Sequence, residues 1–281
     1  MSAPLGQHFL RDRELPKKII RALRIESKWA VIELGPGHGE LTIPLLRACG
    51  EQHARLVAVE KDPRLADELQ HTIENVSHNA SKSPSAAFEL VRGDLRKELS
   101  HITASLGETP YAIVGNIPYY LTAHLFRMLE ELPRRPQRAV FLVQREVAER
   151  VVALPPRMNK LAASVQYWSK PKLLFTVPRG AFAPAPNVDS AALLLETHTH
   201  MHVRNEGMSA RYYRALTTLF AHPRKTIANN FRDAAKHEMR LSQDKKEHTH
   251  SAIFGACGVR AGSRPQELSV DTISCIAARL F

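Results

Sequence analysis

The sequence predicts an α/β protein, a Rossmann-like domain with a mostly parallel sheet, followed by a small all-helical domain. Three observations carry this. Short apolar runs, suited to strands buried on both faces, alternate with amphipathic helical patterns up to Leu195. A glycine-rich turn follows the first of these runs directly. Beyond Leu195 the strand pattern stops and helical stripes take over. The expected boundary is therefore an α/β domain over residues 1–199 and a helical domain over 200–281.

The elements follow in order. Leu15, Ile19 and Leu23 mark a first helix. Strands are expected at Val31–Leu34 and Leu56–Val59, and a third ends at Val91-Arg92-Gly93-Asp94. Between the second and third, Asp62 can cap a helix with Pro63 at its first position and Leu65, Leu69 and Ile73 on one stripe. The polar, breaker-rich residues 76–85 read as a surface loop. Further strands fall at Ala112–Val114 and Ala139–Val143, with a helix after Thr122 that turns Leu125, Phe126 and Leu129 inward. In the C-terminal part the stripes are Leu216, Leu219 and Phe220, then Ile227 and Phe231, then Ile273, Ile276 and Leu280 behind a Ser269 cap. Asp244-Lys245-Lys246-Glu247 is expected to form a charged loop.

Composition narrows the function. A net charge of +11 and a pI near 9.8 create a field that attracts polyanions, so nucleic acid is the first partner to consider. Residues 201–281 hold 13 Lys and Arg against 7 Asp and Glu, which concentrates the excess there. Arg224, Lys225, Arg232 and Lys236 form the stretch expected to hold RNA, the alternative being a solvated helix face. Cys49, Cys257 and Cys275 include no close pair, which fits neither a disulfide framework nor a zinc finger, and a reducing cytoplasm is the simplest compartment. No apolar run is long enough for a signal or membrane span. His198, His200 and His202 alternate along the chain but lack neighbouring cysteines or carboxylates, so no metal is expected.

Glu33-Leu34-Gly35-Pro36-Gly37-His38-Gly39 joins the first strand to a helical stretch. Glycines at alternate positions remove side chains where a backbone must approach a ligand. The Gly-x-Gly-x-Gly spacing with Glu33 ahead differs from the dinucleotide pattern and favours S-adenosylmethionine over NAD. Glu60 ends the next strand, about 20 residues on, where a carboxylate can accept from both ribose hydroxyls. Asp94 follows the third strand and can accept from an adenine amino group, and its neighbour Leu95, like Lys61 beside Glu60, is assigned to the same pocket. Singly, the turn is a tight connection and each acid a helix cap. Their order after successive strands is what points to a cofactor.

Val114-Gly115-Asn116-Ile117-Pro118-Tyr119-Tyr120 is the most specific stretch. The N6 amino group of adenine is a poor nucleophile because its lone pair is delocalised into the ring. Two acceptors aimed at its hydrogens restore electron density as a methyl group arrives. The side-chain oxygen of Asn116 is one, and the carbonyl of Ile117, held extended by Pro118, is the other. Charge developing on N6 strengthens both hydrogen bonds in the transition state, so they contribute to rate and no strong base is required. Tyr119 can stack on an unpaired base, and Phe182, on the proline-fixed loop up to Ser190, could close its other face. The bland alternatives are an Asn-Pro turn with core aromatics and an ordinary extended loop.

Together these residues resemble the ribosomal RNA adenine N6-dimethyltransferase family. The resemblance takes in Leu5-Gly6-Gln7-His8-Phe9-Leu10, the glycine loop, Glu60, Asp94, Asn116 to Tyr119, Gln144 to Arg150, Phe182 to Ser190 and Arg264 to Ser269. It implies an S-adenosylmethionine-dependent methyltransferase fold with a seven-stranded sheet and a helical C-terminal domain. It also implies that Gln7, His8, Leu10 and Asn116 join the cofactor pocket. The implied reaction dimethylates two adjacent adenosines near the 3′ end of small-subunit RNA, in immature 30S particles, by a monomer without an obligate protein partner. The chain departs from the family in lacking a Tyr-Gly pair within Leu154 to Lys160, and in Pro223, which stands where an Arg is expected. Two other readings stay open. One is a macrolide-resistance methylase of 23S RNA, disfavoured by the Arg264 to Ser269 agreement. The other is a non-catalytic nucleic-acid-binding factor, disfavoured by the intact glycines, acids and Asn116.

Overall fold

The computed structural model describes residues 8–79, 86–201, 205–237 and 243–280. The chain opens with β1 (Phe9–Leu10) and α1 (Glu14–Leu23), then β2 (Ala30–Leu34), α2 (Thr42–Glu51), β3 (Arg55–Glu60) and α3 (Pro63–Asn79). It continues through β4 (Phe88–Arg92), α4 (Leu95–Ser105), β5 (Tyr111–Asn116), α5 (Thr122–Glu131), β6 (Arg138–Gln144) and α6 (Arg145–Val151). Next come α7 (Lys160–Trp168), β7 (Ser169–Val177), β8 (Phe182–Ala183) and β9 (Ser190–Thr197). Last are α8 (Glu206–Leu219), α9 (Ile227–His237), α10 (Gln243–Ala256) and α11 (Val270–Leu280).

Seven strands form one sheet in the order β4-β3-β2-β5-β6-β9-β7. The pairs from β4 to β6 are all parallel, and β9 runs antiparallel to β6. Every residue of β2 is buried, as expected for a strand covered on both faces. The order reverses between β2 and β5, and the carboxyl ends of strands flanking such a switch point are where this class of sheet binds ligands. Glu33 and Asn116 sit at those ends, and Glu60 ends the neighbouring strand β3. The short pair β1-β8 adds a separate ribbon, with Phe9 opposite Ala183 and Leu10 opposite Phe182.

The local signals act as read. Asp62 Oδ1 accepts the backbone N–H of Arg64 at 3.0 Å at the start of α3, whose Leu65, Leu69 and Ile73 are buried. Ser269 Oγ accepts from the Thr272 N–H at 3.1 Å, capping α11, and Ile273 and Ile276 are buried. Two expected loops differ. Residues 76–79 continue α3, and 80–85 lie outside the described residues. Asp244 to Glu247 lies within α10, because Lys and Glu are good helix formers and charge alone does not break a helix.

The chain divides into two compact units, residues 1–148 with 170–203, and residues 149–169 with 204–281. The contiguous boundary at 199/200 therefore needs correction, because 149–169 groups with the helical unit. Tyr212 of α8 stacks on Tyr167 of α7 with centroids 3.8 Å apart and donates its hydroxyl to the Ala163 carbonyl at 2.8 Å. The Met158 N–H donates to the Gln266 carbonyl at 3.0 Å. A second correction concerns the cysteines. Cys257 and Cys275, 18 residues apart, are brought to a Cα separation of 5.8 Å and form a disulfide, because α10 and α11 pack together. Cys49 is free and buried, and burial pushes its thiol up to about 12. Among the described residues, no helix is long and apolar enough to cross a membrane.

Candidate active site

The pocket lies at the carboxyl ends of β2, β3, β4 and β5. Its floor is the β2 turn. Gly35 has φ +68°, and a Cβ built there meets nothing within 4 Å, so the backbone is laid open to a ligand. The Gly37 N–H points to Glu60 Oε2 at 3.2 Å. Gly39 does not line the pocket. A Cβ there would stand 2.8 Å from Leu69 Cδ1, so this glycine lets the start of α2 pack closely on α3, a correction to its expected place beside the ligand.

Four carboxyl groups, from Glu33, Glu40, Glu60 and Asp94, line this space. Burial pushes Glu33 up to about 8, with the charges of Glu40 and Glu60 adding to the effect. The Thr42 hydroxyl opposes this shift, although neither it nor Glu33 Oε2 completes a hydrogen bond of ordinary geometry. Glu60 is held by backbone donors, with Oε1 accepting from Lys61 N–H at 2.8 Å and Asp62 N–H at 2.9 Å. Asp94 caps α4, and the Arg96 guanidinium fork holds its carboxyl well below the usual range, with Lys61 Nζ adding a contact at 3.1 Å. Leu95 lines the pocket beside it. An open glycine turn, an orphaned buried carboxyl oxygen and an excess of acids fit a cationic ligand with ammonium, sulfonium and ribose groups, which S-adenosylmethionine has.

The second wall comes from the ends of the chain's α/β unit. Pairing of β1 with β8 brings His8 beside Pro184, whose carbonyl accepts from His8 Nδ1 at 2.7 Å. That carbonyl can only accept, so the proton sits on Nδ1. The His8 carbonyl in turn accepts from Asn116 Nδ2 at 2.6 Å. The same reasoning fixes the amide: its nitrogen faces His8, and Oδ1 is turned the other way. Leu10 lines the pocket as expected, and Gln7 lies outside the described residues.

Ile117 is anchored from the sheet, donating its N–H to the Leu142 carbonyl at 3.2 Å, and Pro118 follows with φ −53° and ψ 130°. Tyr119 opens a short 3-10 turn, and its hydroxyl lies 2.9 Å from Ser190 Oγ at the head of β9. Burial raises its phenol pKa, so it stays neutral. Phe182 does not face this pocket. It is 3% exposed and packs in the core with Leu10, Leu15 and Val177, so its ring offers no free face to a base; its expected place as a base platform is corrected. Sequence reasoning missed Glu40, Arg96 and Tyr120 on the pocket wall. Arg96 had a readable signal in the Asp-x-Arg spacing at a helix start, whereas Glu40 and Tyr120 had none.

In the helical unit, Arg224 and Lys225 lie on the exposed turn between α8 and α9. Asn230 pins that turn, its Oδ1 accepting the His222 N–H at 2.9 Å and its Nδ2 donating to the His222 carbonyl at 3.1 Å. Lys225 is paired with Asp233 at 2.8 Å, and Arg232 donates to Asn229 Oδ1 at 2.8 Å. The Lys236 side chain lies outside the described residues. The rings of His198 and His200 stack at 5.7 Å, His202 is outside the described residues, and no group of three metal-ligating side chains occurs among those described.

Comparison with known proteins places the chain in a family. The family described as ribosomal RNA adenine dimethylase matches residues 2–252. A protein of Dehalococcoides mccartyi named ribosomal RNA small subunit methyltransferase A is 35% identical over 229 residues, covering 80% of this chain and 72% of its own. One of the same name from Streptococcus equi subsp. zooepidemicus is 32% identical over 283 residues, covering 98% and 90%. Among solved structures, a dimethyladenosine transferase from Plasmodium falciparum covers 96% of each chain with TM-score 0.77 and 21% identity. The 23S rRNA methyltransferase ErmE covers 97% of this chain and 99% of its own with TM-score 0.70 and 23% identity. These two likenesses establish the fold, a Rossmann-like methyltransferase domain with a helical C-terminal region. With the match running over most of its length, and with relatives above 30% identity over nearly the whole of it, the chain belongs to the ribosomal RNA adenine dimethylase family.

Proposed function

We propose that the chain is an S-adenosylmethionine-dependent enzyme that dimethylates N6 of two adjacent adenosines near the 3′ end of small-subunit ribosomal RNA. It acts as a monomer on immature 30S particles, and the cytoplasm follows from that substrate, because the Cys257–Cys275 bond removes the cysteine pattern as a ground for a reducing compartment. The observation that carries this reading is Asn116, whose amide nitrogen is committed to the His8 carbonyl, so that its oxygen is left to accept from a substrate. When bound, S-adenosylmethionine supplies a methyl carbon made electrophilic by its sulfonium. Glu60 takes the ribose hydroxyls, Gly35 and Gly37 lay the backbone under the ligand, and Glu33 faces its cationic end, with Leu10 and Leu95 as apolar walls. Asp94 accepts from the adenine amino group once Lys61 yields its place.

Asn116 Oδ1 and the Ile117 carbonyl accept the two N6 hydrogens of the target adenosine, while Pro118 fixes that carbonyl and Tyr119 stacks on the base. The helical unit holds the RNA through Arg224, Lys225, Arg232 and Lys236. Small-subunit RNA is favoured over 23S RNA because the curated relatives that match carry the small-subunit name. Asn116→Ala is expected to lower turnover about 100-fold or more, with RNA affinity within a few fold. Unchanged turnover removes Asn116 from this role. Mass-spectrometric mapping of methylated adenosines, with and without the gene, tests the substrate, and label appearing only in 23S RNA rejects it.

A further inference from the structure

We infer that Tyr120 is a second base platform, which holds the nucleotide next to the target adenosine at the pocket mouth. This rests on the proposed reading of the pocket as an RNA adenosine site. Tyr120 is 65% exposed, in the 3-10 turn that also carries Tyr119. The phenol of Tyr119 is tied to Ser190, but Tyr120 stands out into solvent on the wall of the same pocket. Among the described residues of the α/β unit, the exposed large apolar side chains are Tyr120 and Val188. Both lie within two positions of the Tyr119–Ser190 contact along the chain, and of the two it is Tyr120 that lines the pocket.

Single exposed apolar residues are ordinary on a protein surface. This one has a charged setting that selects its occupant. Arg96 and Lys61 line the same pocket wall as Tyr120, each with a half-exposed cationic head and each paired with Asp94, which a phosphate would displace. An aromatic face flanked by cations is the arrangement that holds an unpaired nucleotide, the ring taking the base and the cations the phosphate. The platform is continuous with the pocket, so a base stacked on it belongs to a nucleotide beside the one being methylated. Recognition by stacking tolerates any base but demands that it be unpaired.

The test is steady-state methyl transfer from labelled S-adenosylmethionine to small-subunit particles lacking these methyl groups, using wild type, Tyr120→Ala, Tyr120→Phe and Tyr120→Trp. Loss of the ring is expected to raise KM for the particle about 5- to 100-fold. The variant should keep kcat within about twofold, KM for S-adenosylmethionine unchanged and the melting temperature of wild type. Phe and Trp should restore KM for the particle. A particle KM for Tyr120→Ala within twofold of wild type overturns the platform, as does a rise confined to the cofactor, or a Phe variant as poor as Ala. If instead the wild type itself places no methyl on adenosine of these particles, it is the proposed function that fails.

Discussion

At the scale of single residues, the site works by committing one end of a polar group so that the other end is left for a ligand. Asn116 is the clear case, and Glu33 is the opposite one. Its carboxyl is buried with one oxygen unsatisfied, and the folded chain keeps it protonated up to about pH 8, whereas the unfolded chain loses that proton near 4.5. The folded state therefore binds more protons across that window. Stability from this group is complete below about pH 4.5 and is lost as pH rises towards 8, on the order of 1 kcal/mol per pH unit. Glu33→Gln copies the neutral form and should melt above wild type at pH 9, with the difference closing at pH 5. Thermal unfolding at the two values checks this, and a gap that does not change with pH contradicts it. The same substitution should weaken S-adenosylmethionine binding, since it removes the charge that the cofactor can draw out.

At the scale of elements, the helical unit is fastened by contacts that join distant parts of the chain. The Cys257–Cys275 bond closes a loop of 18 residues between α10 and α11, a length for which cross-linking is worth about 3 kcal/mol. Reduction, or the double change Cys257→Ser with Cys275→Ser, should lower the unfolding free energy of this unit by that amount and so move its urea midpoint to lower concentration. Identical curves with and without reductant would show that the bond contributes nothing in solution. Such fastenings also mark where sequence reading stops. The parallel strands β2 to β6 were legible because each is a short apolar run bounded by turns, and α3 and α11 because Asp62 and Ser269 announce their starts, whereas β7 and β9 of the same sheet were not read. The grouping of α7 with α8 was not, since Tyr167 and Tyr212 are 45 positions apart and nothing in either segment names the other. Phe182 misled for a related reason: its proline-rich neighbours suggested a loop, and only the packing of distant Leu15 and Val177 around it shows that it is core. The pocket residues at strand ends could be read from order alone, but Tyr120 could not, because exposure is a property of the turn.

At the scale of the whole molecule, charge is divided as the two tasks require. The cofactor pocket collects acids against a net charge of +11, and residues 201–281 hold 13 basic against 7 acidic side chains. A polyanion is thus drawn to the chain as a whole while a small cation is drawn to one cleft. Neutralising a cation that replaces RNA counterions reduces the slope of log affinity against log salt by about 0.7 to 0.9. The cations are not equivalent, however. Lys225 is already paired with Asp233, so RNA contact must first break a salt bridge, and its loss also frees an acid that repels phosphate. Arg224→Ala with Arg232→Ala should flatten the salt slope by about 1.5 and weaken binding at moderate salt, with Arg232 turning from its neutral partner Asn229 to the phosphate. Lys225→Ala should change the slope by less than half a unit. The companion change Asp233→Asn should strengthen binding, because it releases the lysine. Fluorescence anisotropy of labelled small-subunit RNA across a salt series measures all three. If the paired arginine change leaves the slope where it was, the basic turn and α9 are not the clamp, and the excess charge serves only to draw RNA in.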